Sequence, residues 1–279
     1  MHLLTAGDSW TFGSEIRDPD LPQSVSDWDK ENNAYRIPRI WPSLLTTKLG
    51  WTDHSNISYP ASSNDRIVRH TISWITEHYL HPKKDTSDLF VVVGFTSPER
   101  KDFYYRDPVE DNHGWTTIWP NQTNHEYHQR GMQAFFDNYR MYLWNEEEYT
   151  NRYVQQVTQL QNFFTVHGIK HYFFQAFYNV DETGIRQWVD SNYINSENEK
   201  MTVGESDPRW YFHYNNQPDG WIWDQVDSER FYGKEQAPHT CHSFITQQGH
   251  DKVITGMHPN AHGHALWADE LYEYIKELV

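Results

Sequence analysis

Apolar and polar positions alternate along the chain in strand-sized and helix-sized blocks. Residues 2–6 form a short apolar run that ends in Gly7-Asp8-Ser9, which reads as a first strand entering a tight turn. Residues 11–36 are polar, contain Pro19 and Pro22, and predict a long surface loop suited to a lid. Ile40, Leu44, Leu45 and Leu49 are spaced as one face of a helix that stops at Gly50. Residues 54–59 predict a second strand. Residues 64–80 predict a helix with Ile67, Ile72, Ile75 and Tyr79 on one side.

Leu89-Phe90-Val91-Val92-Val93 is the strongest strand signal, because a continuous apolar run suits a central parallel strand covered on both faces. Residues 98–148 form an insertion-like stretch rich in Trp, Tyr, His, Asn and Asp, helical over 129–144. A helix over 149–166 carries Tyr153, Val157, Leu160 and Phe164 and ends at Gly168, and 170–177 predicts the next strand. Residues 181–250 hold a short helix at 185–190 and then aromatic loops. A last helix at 260–279 has Leu266, Leu271, Tyr274 and Ile275 as its buried stripe.

This order of strands and helices implies right-handed parallel crossovers. The fold class is therefore α/β: a three-layer α/β/α sandwich with a doubly wound parallel sheet. The chain reads as one domain over residues 1–279, with 98–148 and 195–250 as long loop insertions. Active sites in such sheets lie beyond the carboxyl ends of the strands. Ser9 and Thr96 both fall there.

Composition narrows the picture. Only 37% of residues are hydrophobic and mean hydropathy is −0.88, values that can mark disorder. The 16% aromatic content, with 13 Trp and 18 Tyr, points instead to a folded core built on large rings. A net charge of −16 argues against nucleic acid and anionic membrane surfaces as partners, which need clustered Lys and Arg. Cys241 is the single cysteine, so no intrachain disulfide forms, and a buried inert thiol is expected. The start of the chain reads as a core strand rather than a signal peptide, and no run is long enough to span a bilayer. The expectation is a cytoplasmic protein, or one assembled into a particle there.

Two residues carry the chemistry. Ser9, at a strand end opening a helix, would on its own be an N-cap. His258 precedes a final helix, with Pro259 placed to be its first residue. A nucleophile on a central first strand and an imidazole at the entry to the last helix can meet, and an imidazole beside a hydroxyl activates it. Gly7-Asp8-Ser9 resembles the opening block of the SGNH/GDSL hydrolases, and His258-Pro259-Asn260 with Gly263-His264 is similar to their closing block. The stretch from Asn56-Ile57-Ser58 to Asn64-Asp65-Arg66 is similar to the second block, and Val93-Gly94-Phe95-Thr96 stands in place of the third.

The resemblance implies hydrolysis of an acyl ester, acetyl or short acyl, on a small molecule or a glycan. It implies Ser9 as nucleophile, His258 as base, and no metal or organic cofactor. The oxyanion would be held by the Ser9 and Ala61 N–H groups with the Thr96 hydroxyl. Asp8 and Asn64 would lend support, Asn64 as a substitute donor. Three positions depart from the family pattern. Ala61 replaces a glycine, a mild loss if positive φ is not needed there. Thr96 replaces an asparagine. Thr255 replaces the acid, so Asp251 or a backbone carbonyl would have to orient His258. These changes motivate a second reading, a catalytically degenerate carbohydrate- or protein-binding module on the same fold.

Other clusters have plainer readings. His258, His262 and His264 suggest a metal, but no third ligand follows at diagnostic spacing. Arg100 could bind an anion, though pairing with a nearby carboxylate is the simpler expectation. Trp115 with Trp119, Trp210 with Tyr211, and Trp221 with Trp223 are expected to anchor loops on the core, with sugar stacking as the alternative.

Overall fold

The apolar runs pair in parallel register. In chain order the strands are β1 (His2–Ala6), β2 (Asp53–Asn56), β3 (Leu89–Phe95), β4 (Lys101–Arg106), β5 (His113–Ile118), β6 (Lys170–Gln175), β7 (Ile254–Thr255) and β8 (His258–Pro259). Four of them form the central sheet in the order β2-β1-β3-β6, all parallel. The computed structural model describes residues 1–106, 113–118, 133–144, 146–177, 223–234, 240–249, 253–255 and 257–279.

The helices are α1 (Ser9–Phe12), α2 (Asn33–Arg36), α3 (Trp41–Lys48), α4 (Asn64–Ile75), α5 (Gln133–Asn138), α6 (Glu146–Val166), α7 (Cys241–Gln247) and α8 (Ala261–Ile275). Successive residues of a strand face opposite sides, so a sheet covered twice needs apolar side chains at every position. β3 meets that demand: Val91, Val93 and Phe95 pack under α4 and α6, while Phe90 and Val92 pack under α3 and α8. Leu4 and Leu3 of β1 divide between the same two layers. The result is the expected α/β/α sandwich with a parallel, doubly wound sheet.

The stripe on α6 is as predicted, with Tyr153, Val157, Leu160 and Phe164 fully buried. β2, with the sequence Asp-His-Ser-Asn, is polar because it is the sheet edge. Each fully buried Leu or Phe contributes about 1.5–3 kcal/mol, so these two apolar layers are the main source of stability.

Several local expectations change. Residues 11–36 are not all loop: α1 occupies their start, and a short 3-10 turn (Lys30–Asn32) leads into α2. Asn32 organises that segment, its buried amide donating to Ile16 O at 2.8 Å and Asp27 O at 3.0 Å. The helix expected over 64–80 ends as a π turn, Thr76–Leu80. The helix expected over 129–144 is described from Gln133 and also ends in a π turn, Tyr139–Leu143. On α8 the buried stripe is Trp267, Leu271 and Ile275, with Leu266 only partly covered, while Tyr274 is 49% exposed. The helix expected at 185–190 lies outside the described residues. No described helix is long and apolar enough to cross a membrane.

Candidate active site at the carboxyl end of the sheet

The chain leaves the sheet in opposite directions on either side of the β1–β3 pair, the kind of switch point where α/β proteins place ligands. Ser9 follows β1 there and Thr96 follows β3. Gly7 lets the two strand ends approach: a Cβ on it would stand 2.3 Å from Thr11 Oγ1 and 3.1 Å from Gly94 O. Asp8, not Ser9, caps α1. Its Oδ1 accepts the Trp10 N–H at 3.0 Å. Ser9 is therefore not the N-cap it would have been on its own account, but the first helical residue, with its hydroxyl free of that duty.

Asp8 is fully buried, and its other oxygen accepts the Thr96 hydroxyl at 2.6 Å and faces Arg100 Nη1 at 3.5 Å. Arg100 also donates to Ser62 O at 3.2 Å. It therefore pairs with a carboxylate, as expected, and the partner is the acid of the Gly-Asp-Ser turn. The Thr96 hydroxyl hydrogen is committed to Asp8. Its expected role as an oxyanion donor is corrected on that ground. Asn64 is likewise occupied: its amide nitrogen donates to Thr96 O at 3.0 Å and its oxygen accepts Thr96 N–H at 2.8 Å. It clamps the Thr96 peptide to the start of α4.

Ala61 has φ +59°. The position does need the left-handed conformation, so replacing glycine by alanine stores about 1–2 kcal/mol of strain and is not the mild change expected from sequence. Residues around it hold the turn beside the Gly7-Asp8-Ser9 bend: Tyr59 N–H donates to Gly7 O, and Ser62 N–H donates back to Tyr59 O, both at 3.2 Å. The N–H groups of Ser9 and Ala61 have no acceptor among the described residues. Both are therefore available as donors.

His258 lies on β8, which packs beside α1. The head and the tail of the chain therefore meet at this edge, although no hydrogen bond joins Ser9 Oγ to the His258 ring. β8 is held by a two-residue antiparallel ladder in which Thr255 stands opposite His258 and is itself exposed. Asn260, not Pro259, starts the last helix, its Oδ1 accepting the N–H groups of His262 and Gly263 at 3.0 Å. Gly263 is required by close approach, since a Cβ there would meet Val253 O at 2.5 Å. Asp251 lies outside the described residues.

The carboxylate beside His258 is Glu15, a residue the sequence did not single out. Its Oε1 is 3.2 Å from His258 Nδ1 and its Oε2 accepts the Met257 N–H at 3.1 Å. The Nδ1 atom is buried and has no aligned hydrogen bond, so the pair sits at ion-pair distance with the N–H off the line to oxygen. Behind it, His264 is buried and accepts the Trp41 N–H on Nδ1 at 3.2 Å. Burial first, then the neighbouring His258 and Arg36, push its pKa down to about 3, so it is a neutral core residue. His262 is exposed, on another face of α8. No group of three metal-ligating side chains gathers among the described residues.

The aromatic residues divide. Trp223 packs edge-on to Phe231 and against Tyr153, a core anchor as expected. Trp115 is half exposed, lies edge-on to Tyr104 and sits under the Arg69 guanidinium. Trp119, Trp210, Tyr211 and Trp221 lie outside the described residues. Nearer Ser9, sequence reading missed a group formed by Phe12, Trp28 and Tyr59. Trp28 meets Tyr59 edge-on at 5.9 Å and Phe12 at 6.1 Å, with Trp28 and Tyr59 about half exposed. Cys241 is buried, and burial pushes its thiol pKa well up, consistent with an inert thiol.

No curated protein matches the chain. Among solved structures it is similar to a member of the lipolytic protein G-D-S-L family from Veillonella parvula DSM 2008, with 11% identity, all of both chains covered and a TM-score of 0.41. It is also similar to phospholipase A1 from Streptomyces albidoflavus NA297, with 12% identity, 100% of this chain and 99% of that chain covered, and a TM-score of 0.35. One family model matches residues 20–189, a span that holds Ala61, Asn64 and Thr96 but neither Ser9 nor His258. The chain belongs to that family, the Family of unknown function (DUF6071).

Proposed function

We propose that the protein is a serine esterase that cleaves an acetyl or short acyl ester, on a small molecule or a glycan, with Ser9 as nucleophile and His258 as base. The observation that carries this reading is the meeting of α1 with β8 at the carboxyl end of the sheet. It supports pairing Ser9, the residue after the buried Asp8 cap, with His258, whose Nδ1 lies 3.2 Å from a Glu15 carboxylate oxygen. The unpaired N–H groups of Ser9 and Ala61, the latter on a strained turn, support it as donors to an oxyanion.

The steps follow from these groups. Ser9 Oγ attacks the ester carbonyl as His258 Nε2 takes its proton, and the carbonyl oxygen becomes an oxyanion held by the two N–H groups. Collapse breaks the bond to the alcohol oxygen, which takes the proton from His258. Water then attacks the acyl-Ser9 ester with His258 again as base, releasing acid and restoring the hydroxyl. No cofactor enters these steps.

A second reading is favoured by one observation: Thr96, in the place of the family's asparagine, is turned onto Asp8 and offers nothing to a substrate. A binding module on the same fold would look this way. Labelling with a fluorophosphonate and mapping the modified peptide separates the two. A hydrolase is labelled at Ser9 and loses the label in His258→Ala; a binder takes no label.

A further inference from the structure

From the placement of its side chain we infer that Glu15 fixes the tautomer and orientation of His258, in the place that Thr255 leaves empty of charge. One carboxylate spans two adjacent residues of the tail, Oε2 accepting the Met257 N–H at 3.1 Å and Oε1 lying 3.2 Å from His258 Nδ1. That buried nitrogen has no aligned hydrogen bond among the described residues, and the Glu15 carboxylate lies within reach of it.

The backbone is shaped for this contact. Glu15 stands at φ +67°, a left-handed conformation that costs a residue with a side chain about 1–2 kcal/mol. Its own N–H is held by Asp27 Oδ2 at 2.7 Å. An ordinary surface glutamate needs no such strain. Strained residues persist where surrounding contacts over-determine them, and here they aim a carboxylate from the loop after α1 across to β8.

The charged and titratable groups near this pair include Asp27, which accepts the Glu15 N–H, and His264, which neighbours both His258 and Arg36. His264 is neutral, with its pKa pushed down to about 3, so it brings no charge to the ring, while the Glu15 carboxylate lies 3.2 Å from Nδ1. A carboxylate that comes into line with Nδ1–H leaves the lone pair on Nε2, and it stabilises the ring when that nitrogen takes a proton. Glu15 acts through His258 and is a positioning residue. Its use in catalysis rests on the Ser9–His258 reading; the pairing with His258 does not.

Glu15→Gln separates these. The Met257 N–H requires an acceptor, so the amide oxygen takes the Oε2 place and the NH2 group turns toward His258 Nδ1. That nitrogen must then accept, and the ring proton moves to Nε2. The test is 15N NMR of the His258 ring in the full-length protein at pH 8.5, assigned by His258→Ala. The expected result is an Nδ1–H ring in the parent, an Nε2–H ring in Glu15→Gln, and Nδ1–H restored in Glu15→Asp. In parallel, kcat for p-nitrophenyl acetate should fall about 10²–10⁴-fold in Glu15→Gln with KM nearly unchanged, and recover in part in Glu15→Asp. A ring tautomer identical in the parent and in folded Glu15→Gln overturns the inference. A tautomer that moves in a protein with no esterase activity upholds the pairing and rejects the esterase reading alone.

Discussion

The hydroxyl of Thr96 donates to the carboxylate of Asp8 at 2.6 Å, tying the end of β3 to the end of β1 inside the site. The same carboxylate caps α1 through the Trp10 N–H and faces Arg100, so a single fully buried anion orders the turn that presents Ser9. In this arrangement Thr96 serves the scaffold and not the reacting atoms.

Thr96→Val therefore should cost about 1–3 kcal/mol, the penalty for leaving part of a buried acceptor unsatisfied, and leave ester turnover in the folded protein within a few-fold of the parent. Urea unfolding and p-nitrophenyl acetate kinetics check the two halves. A loss of about 10²-fold in kcat would return the hydroxyl to the oxyanion site. Asp8→Ala should be more damaging, about 3–5 kcal/mol, because it removes the α1 cap, the acceptor of the Thr96 hydroxyl and the carboxylate facing Arg100 together.

Ala61 supplies a second test. Its φ of +59° suits glycine. Ala61→Gly should leave stability equal or higher by up to about 1 kcal/mol, relief of strain being partly offset by the greater freedom of the unfolded chain. Ala61→Val should lower it by about 1–2 kcal/mol, since a branched side chain tolerates this region least. Both follow from urea midpoints. Esterase activity should persist in Ala61→Gly, because the N–H stays in place.

The pH dependence of folding has two opposed parts. Burial holds His264 at about 3, below its ordinary 6.5. The unfolded chain takes up that proton first as pH falls, so this part of the stability is present above 6.5 and is lost on the way down to 3. From pH 6.5 to 5 the loss is about 2 kcal/mol. Burial also raises Glu99 to about 7 from 4.5. The folded state keeps that proton longer, so its contribution is full below 4.5 and lost as pH rises through 7. The two slopes oppose between 4.5 and 6.5. Comparing urea midpoints with the parent should show His264→Gln gaining ground as pH falls from 7 to 5, and Glu99→Gln gaining ground as pH rises from 5 to 8.

The fold was legible where packing demands a repeating pattern. Leu89 to Phe95 must fill two layers at once, and Tyr153, Val157, Leu160 and Phe164 must face one sheet, so both signals are written in the local sequence. Tyr274 misled because a tyrosine at a helical core position can equally lie on the rim. It rests there against Tyr172 and Tyr232 while Trp267 fills the space beneath.

The site was legible at its two ends and opaque between them. Asp8 and Ser9 are both cap formers, so spacing alone could not say which one caps. The Thr96–Asp8 bond could have been suspected from a hydroxyl placed opposite an acid at adjacent strand ends. Glu15 carries no local signal: it touches His258 only because α1 and β8 meet, and its left-handed backbone is invisible in a residue type that rarely adopts one. Polar segments such as the one around Asn32 fold through long-range hydrogen bonds, which leave no periodicity to read.

The esterase reading turns on the Ser9 hydroxyl. The direct measurement is the initial rate of p-nitrophenyl acetate hydrolysis by the parent and by Ser9→Ala, each shown to be folded by circular dichroism. The account predicts turnover by the parent and its reduction to the buffer rate in Ser9→Ala. Equal rates in the two proteins, or no turnover by the parent, would contradict it.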